Sequence, residues 1–239
     1  MQDQLPTFIS SLQTIPFGTA FGYLFVLTLF TAFNWGLEAF KWKQLTFHLQ
    51  PLSFKAAYAA ILTGQAVSFS SINRVGESIG KSMLLSDGNR LKGVVLSFVA
   101  SASQLLVTLL FGLIAVIWMY PSLHLQLQLQ LQLSELVLYA FYGALFFLVG
   151  LFILCYIAIP FFANKLSKAP FFYRYAYLLA SIQTLPKHLL LQLALVSGAR
   201  YLVFLLQYLL IFKLCGVRID APTLMALTAI LFLILAIIP

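Results

Sequence analysis

Long apolar runs constrain the fold of this chain more than any other feature. Four of them match or exceed the length of about 20 residues that a helix needs to cross a bilayer: Phe17–Leu37, Gly93–Met119, Leu136–Phe162 and His188–Phe212. A further run begins near Ala221. Charged residues make up only 8% of the sequence, which is about a third of their share in soluble domains. We therefore predict an all-α fold, a polytopic helical membrane bundle with about five full spans.

A shorter apolar segment, from Phe54 to Phe69, predicts a different arrangement between the first two long runs. It contains several polar residues, and basic clusters flank it at positions 41–55 and 74–92. Basic residues in short loops concentrate on the cytoplasmic side, and a full crossing would place the two clusters on opposite sides. We therefore predict that residues 54–90 form a re-entrant helical hairpin that enters and leaves on the cytoplasmic side. Such a hairpin lines a wet cavity or is buried in protein.

Two segments outside the long runs have patterns of their own. The stretch Leu123–Glu135 alternates leucine with polar residues, which favours an extracytoplasmic loop or a short edge strand. The stretch Phe171–Lys187 is amphipathic, rich in aromatic residues and flanked by bases. It is typical of an interfacial helix on the inner leaflet, and a linker helix packed under the bundle is the alternative.

The apolar runs follow one another without a soluble insertion, so we treat residues 1–239 as a single integral membrane domain. The last run is still apolar at Pro239. Because natural chains seldom stop within a span, we expect this chain to be a fragment that lacks C-terminal spans. A homo-oligomer is one of the assembly states left open.

Several classes of function do not fit the charged residues. The net charge of +8 fits cytoplasmic loops facing anionic lipid headgroups, and no basic stripe interleaved with aromatic residues indicates a nucleic-acid surface. The three histidines show no metal-ligand spacing. The six acidic residues are scattered, whereas metal-assisted phosphosugar chemistry needs clustered carboxylates. We predict no metal, no cofactor and no catalytic residues, and we lean against an enzyme.

Charge concentrates in the stretch SSINRVGESIGKS, directly after the short apolar segment. Arg74 and Glu77 are three residues apart and Lys81 is four beyond Glu77, so the three can form a basic–acid–basic ladder on one helical face. Gly76 and Gly80 relax the backbone where a hairpin turns or packs closely. An arginine near the membrane is suited to grip a phosphate through its guanidinium fork. The alternative is a charged cytoplasmic loop that only caps two helices.

Arg200 is a second candidate, because it lies at the centre of the fourth long run. A base there costs about 2.5–3.5 kcal/mol on insertion scales. The same helical face carries Ser197, Phe204 and Gln207. We therefore expect Arg200 to point into the bundle. Two interpretations stay open: a structural ion pair, with Glu77 or Glu38 as partner, and a ligand for a headgroup or carboxylate in a cavity.

Other polar residues in the long runs fit structural roles. A polar patch in the second long run predicts interhelical hydrogen bonds and consists of Ser101, Ser103 and Gln104. The end of the first run is predicted to hold mainly interfacial anchors, namely Trp35, Glu38, Lys41 and Lys43.

Four segments, in this order, resemble the lysylphosphatidylglycerol synthase transmembrane region, a flippase-like membrane protein family: NWGLEAFKWKQL, SINRVGESIGKSMLL, VLSFVASASQLLVTLLFG and SGARYLVFLLQYLLIFKLCGV. The resemblance covers residues 31–239. The positions that fall on the family's motif are Asn73, Arg74, Gly76, Glu77 and Lys81, and Ile72 stands where the family usually has proline. Members have a further span before the first one here and more spans after the last. The resemblance therefore implies that N-terminal as well as C-terminal spans are missing.

The resemblance implies a lipid-handling function in the cell (inner) membrane. Its best-known members flip aminoacylated phospholipid, so the expected partner is an anionic or aminoacylated phospholipid, or a polyprenyl-phosphate lipid. The expected headgroup site consists of Asn73, Arg74, Gly76, Glu77, Lys81, Arg200 and Gln207. The alternative is a membrane module of a lipid-linked aminoacyl- or glycosyltransferase, and a third hypothesis is a membrane subunit with no ligand of its own.

Overall fold

The computed structural model describes residues 16–70, 75–123, 134–217 and 219–237, and these residues are mainly helical, with no strand among them. The principal helices are α1 (Phe17–Thr46), α2 (Phe54–Ser68), α3 (Val75–Ser82), α4 (Asp87–Trp118), α5 (Glu135–Ile157), α6 (Ile159–Ser167), α7 (Ala176–Gln183), α8 (Lys187–Leu214) and α9 (Ala221–Ile237). A 3₁₀ helix, Pro170–Tyr175, precedes α7. The predicted all-α class is confirmed for this part of the chain. The predicted edge strand falls largely on residues 124–133, outside the described residues.

Four of these helices, α1, α4, α5 and α8, are long and apolar enough to cross a membrane. The 30 residues of α1 extend about 45 Å at the helical rise of 1.5 Å per residue, more than the bilayer core of about 30 Å. The apolar helix α9 is shorter, with 17 residues. The chain is therefore an integral membrane protein with several apolar helices.

Many large apolar side chains on these helices face outward. Phe17 and Leu24 of α1 and Leu136 and Phe147 of α5 are exposed on the protein surface. In water such a surface would be unfavourable, because each large apolar side chain costs about 1.5–3 kcal/mol when it is left exposed. A bilayer removes this cost, since lipid tails are as apolar as leucine. The exposed faces therefore fit the surface of a helix in lipid.

The described residues divide into two compact units. Unit 1 takes its members from the ranges Met1–Asn34, Thr108–Tyr142 and Tyr201–Pro239. Unit 2 takes its members from Trp35–Val107 and Gly143–Arg200. Helix α1 therefore contributes its first part to unit 1 and its second part to unit 2.

Unit 1 contains aromatic contacts and one close approach between α4 and α9. Tyr201 of α8 stacks on Phe111 of α4 with ring centroids 4.8 Å apart, and it meets Phe232 of α9 edge-on at 5.8 Å. A Cβ on Gly112 would lie 2.7 Å from Cβ of Leu233, so α4 and α9 approach closely only because residue 112 is glycine. At the start of α9, the backbone N–H of Thr223 donates to Asp220 Oδ2 at 3.0 Å. This bond holds the pKa of the Asp220 carboxyl below its usual value.

Unit 2 contains a tight helical hairpin made by α2 and α3. A Cβ on Gly80 would lie 2.8 Å from Cα of Gly64 and 2.8 Å from the carbonyl oxygen of Thr63. The two helices can therefore touch backbone to backbone only because both crossing positions are glycine. On the same side of α2, one turn before Gly64, Ala60 and Ile61 are buried, with Trp42 of α1 in the same apolar cluster. Helices α2 and α3 therefore form a closely packed pair.

Three helix boundaries differ from those predicted. The first run continues as helix past Leu37 to Thr46, because its charged residues find partners inside the bundle. The run predicted as Leu136–Phe162 breaks after Ile157, where α6 begins with Pro160 in its first turn. Proline has no N–H to continue the preceding helix. The segment Phe171–Lys187 is not one amphipathic helix, since the 3₁₀ helix and α7 divide it.

Candidate functional site

Charged side chains from three helices converge on one carboxylate inside unit 2. Glu38 of α1 accepts from Nζ of Lys81 in α3 at 2.6 Å through Oε1. Its Oε2 accepts from Nζ of Lys41 at 3.0 Å and from Nη1 of Arg200 in α8. Nζ of Lys81 also donates to Oε1 of Glu77 at 2.6 Å. We call these five residues, Glu38, Lys41, Glu77, Lys81 and Arg200, the Glu38 cluster.

The local sequence explains how each helix presents its charges. Glu38 and Lys41 are three residues apart in α1, and Glu77 and Lys81 are four apart in α3, so each pair shares one helical face. A Cβ on Gly64 of α2 would lie 2.8 Å from Cγ of Lys81. A glycine at this position therefore leaves room for the lysine stem to pass α2 and reach Glu38.

Lys41 is the most completely enclosed of the cations. Besides Glu38, its Nζ donates to the carbonyl oxygen of Ala100 at 3.3 Å and to Oγ of Ser197 at 3.2 Å. Oγ of Ser103 lies 2.9 Å from Oγ of Ser197 and donates to the same Ala100 carbonyl at 2.6 Å. A lysine ammonium has three donors, so these three acceptors satisfy it.

The five residues of the cluster differ in how much of each side chain is exposed. The exposed fraction of the side chain is 1% for Lys41 and 5% for both Glu38 and Lys81, whereas it is 12% for Arg200 and 22% for Glu77. Arg200 and Glu77 are therefore the least enclosed residues of the cluster. With all five groups ionised, the cluster carries three positive and two negative charges, so it has one positive charge in excess.

The candidate residues from the sequence divide into three groups. Glu77, Lys81 and Arg200 come together in the Glu38 cluster, and Gly76 is buried in α3 beside them. Asn73 and Arg74 lie outside the described residues, so their predicted role stays a prediction.

Gln207 does not join the cluster. It belongs to unit 1, where its Nε2 donates to Oγ1 of Thr31 at 2.9 Å and to the carbonyl oxygen of Leu27 at 3.4 Å. Gln207 is two helical turns beyond Arg200, and it bonds to the first part of α1. These two bonds link α8 to α1, and the expected role of Gln207 in a headgroup site stays a prediction.

Two residues of the cluster were missed as site residues. Glu38 and Lys41 were predicted to be interfacial anchors, and this is wrong, because both are buried. Glu38 was one of the two ion-pair partners predicted for Arg200, and this ion pair is present. The sequence signal for their burial was an acid and a base three residues apart within an apolar helix. Two such charges have a low free-energy cost there only when they pair.

The polar patch of α4 agrees in part with its predicted role. Gln104 Oε1 accepts from Nη1 of Arg200 at 3.4 Å, and Ser103 bonds to Ser197 of α8, so both link helices. Ser101 Oγ donates to the carbonyl oxygen of Ser97 within its own helix. The described residues contain no group of three or more histidine, cysteine or acidic side chains that could hold a metal ion. The cluster instead offers guanidinium and ammonium donors, which bind anionic oxygen atoms.

Comparisons of the chain with protein-family models, with curated proteins and with solved structures find no match. The resemblance to the flippase-like family therefore stays a prediction. The chain is an integral membrane protein with four helices that could cross a bilayer, and its function is inferred below from the chemistry of the Glu38 cluster.

Proposed function

We propose that this protein is a member of the flippase-like family that resides in the cell (inner) membrane, binds an anionic lipid headgroup in the Glu38 cluster and assists its passage between leaflets. The lipid is a phospholipid or a polyprenyl-phosphate lipid. One observation carries the proposal: a largely buried cluster with a positive charge in excess joins α3 to α1 and α8, two helices long and apolar enough to cross a membrane.

The energetic cost of the cluster argues for a ligand. A base at the centre of a spanning helix, such as Arg200 in α8, costs about 2.5–3.5 kcal/mol on insertion scales. Replacement of a buried ion pair by apolar residues of similar volume is often neutral, or stabilises by about 1–4 kcal/mol. Folding alone therefore does not require five charged residues at this position. A phosphate that must leave water and enter the bundle does require them, because its charge needs a counter-charge there.

The hairpin fits a re-entrant element that carries part of the site. Helices α2 and α3 have 15 and 8 residues, so they extend about 22 Å and 12 Å, and neither crosses a core of about 30 Å. We propose that α2 enters the bilayer from the cytoplasmic side and that α3 returns to it, with Lys81 and Glu77 at membrane depth. Helix α9 would then be the fifth span.

The test is lipid translocation by the full chain in proteoliposomes. With fluorescent phosphatidylglycerol in both leaflets, dithionite quenches only the outer leaflet unless the protein exchanges the two pools. We expect Arg200→Gln to slow exchange by about tenfold or more, because it removes a charged hydrogen-bond donor. The matched control is Arg90→Gln, since Arg90 is half-exposed and its contacts are local, to Asp87 Oδ1 and to the carbonyl oxygen of Leu85.

Both variants must keep the helical content of the parent at the assay temperature, and Arg200→Gln is expected to melt at a lower temperature because Glu38 loses one of its partners. If Arg200→Gln exchanges lipid at the parent rate, the assignment of the Glu38 cluster to lipid translocation fails. If the parent chain exchanges lipid no faster than protein-free liposomes, the translocation function itself fails.

A further inference from the structure

We infer that the Glu38 carboxylate is an internal substitute for the lipid phosphate: it contacts Arg200 in the structure, and a bound headgroup displaces it from Arg200. The inference rests on the proposed function and specifies how that site holds its ligand. The Glu38 carboxylate competes with the lipid phosphate for Arg200 and so sets the affinity for the lipid. The ligand is a singly charged phosphate, such as a phosphodiester.

The first reason is a match between the two anions. A carboxylate presents two oxygen atoms that share one negative charge, and the guanidinium fork binds such a pair. A phosphodiester likewise presents two non-bridging oxygen atoms that share one negative charge. Glu38 already holds Arg200 through Oε2 and Lys81 through Oε1. Arg200 contacts one oxygen atom of Glu38, Oε2, so a non-bridging oxygen atom of a phosphodiester can take its place as the anionic acceptor.

The second reason is how the charges divide. Glu38, Glu77, Lys41 and Lys81 form a quartet of two acids and two bases, which is neutral without Arg200. Arg200 supplies the positive charge in excess. When a singly charged phosphate binds Arg200, the quartet is neutral and the pair of Arg200 and phosphate is also neutral. No unbalanced charge then stays buried. Unbalanced buried charge is the costly arrangement, and a doubly charged phosphomonoester would create it with the opposite sign.

The third reason is accessibility. Arg200 has a more exposed side chain than Glu38, Lys41 or Lys81. Lys41 is saturated by Glu38, Ser197 and the Ala100 carbonyl, and it stays with them. Lys81 keeps Glu77 as a second carboxylate. Among the three cations that contact Glu38, Arg200 can therefore change partner with the least disturbance of the others.

The experiment measures binding of short-chain (dihexanoyl) phosphatidylglycerol to the purified full chain in neutral detergent, by microscale thermophoresis. We expect Glu38→Gln to bind this lipid about tenfold more tightly than the parent, because the competing carboxylate no longer holds Arg200. The matched comparison is Glu77→Gln, which raises the charge of the cluster by the same amount without freeing Arg200, and it should tighten binding less. Glu38→Asp keeps the charge but shortens the side chain, and it should also tighten binding. This variant replaces Glu38→Gln in the comparison if Glu38→Gln does not fold.

Two further arms identify the ligand class. Glycerophosphoglycerol carries the same phosphodiester without acyl chains, and we expect it to bind more weakly than the lipid. Dihexanoyl phosphatidic acid carries a phosphomonoester, and we expect it to bind more weakly than phosphatidylglycerol at a pH where it is doubly charged. Equal affinity for the two lipids would overturn the assignment of a singly charged phosphate.

The outcomes separate the inference from the function on which it rests. If Arg200→Gln loses lipid binding but neither Glu38 variant tightens it beyond Glu77→Gln, the substitute role of Glu38 is refuted and the headgroup site stands. If Arg200→Gln binds the lipid as well as the parent, or if the free headgroup binds as well as the lipid, the proposed lipid site itself is refuted.

Discussion

Lys81 is the residue whose loss should reveal most directly whether the cluster is buried as described. Its Nζ lies 2.6 Å from Glu38 and 2.6 Å from Glu77, and only 5% of its side chain is exposed. Lys81→Met keeps most of the apolar stem, so no large cavity opens, but both carboxylates lose a cation. Removal of one partner from a buried ion pair costs about 3–5 kcal/mol.

The expected magnitude lies near the lower end of that range. Glu38 retains Lys41 and Arg200 as partners, and Glu77 is only partly buried. We therefore expect Lys81→Met to lower the free energy of unfolding by about 3 kcal/mol. For a chain of this size, each kcal/mol shifts the melting temperature by about 2–4 °C. The expected decrease is about 6–12 °C.

The assay is thermal unfolding of the full chain in a mild detergent, followed by far-ultraviolet circular dichroism at a fixed scan rate. The matched control is Lys55→Met, because Lys55 is exposed near the start of α2. Such a surface change alters stability by about 0.5 kcal/mol or less. The double variant Lys81→Met with Glu77→Gln should lose less than the two single variants combined, since contacting residues couple by about 0.5–3 kcal/mol. Equal melting temperatures for Lys81→Met and Lys55→Met would refute the view that Lys81 is held between two buried carboxylates.

Three further predictions concern the contact between α2 and α3, the orientation of this helix pair in the membrane, and the hydrogen bonds of Lys41. Gly80→Ala should destabilise the chain by about 1–3 kcal/mol, because its Cβ would overlap backbone atoms of α2, whereas Gly150→Ala meets nothing within 4 Å and should not; similar melting curves for the two would contradict the close crossing. In a chain without its native cysteines, single cysteines at Lys55 and Arg90 should both react with an impermeant maleimide from the cytoplasmic side, and labelling from opposite sides would exclude a re-entrant hairpin. Ser197→Ala should cost about 1–3 kcal/mol in thermal unfolding, since it leaves a buried ammonium one acceptor short, and an unchanged stability would show that this bond is dispensable.

The charged residues within α3 were predictable because their interaction is local. Glu77 and Lys81 are four residues apart, so any helix brings their side chains together, and the predicted pair is present. Arg200 was expected to point inward, and it does contact Glu38. The glycines of the hairpin were likewise expected where the backbone packs closely, and Gly80 meets the α2 backbone.

The sequence by itself determined the class of this protein and most of its helices. Apolar length sets which segments can cross a bilayer, and this depends on neighbouring residues along the chain. Only the tertiary structure decided that Glu38 is shared by Lys81, 43 residues away, and by Arg200, 162 residues away. It also decided that Gln207, on the same helix as Arg200, bonds to a different part of α1. Helical periodicity specifies which residues share a face, but the packing of one helix against another specifies which charges meet, and that packing depends on contacts distant in sequence.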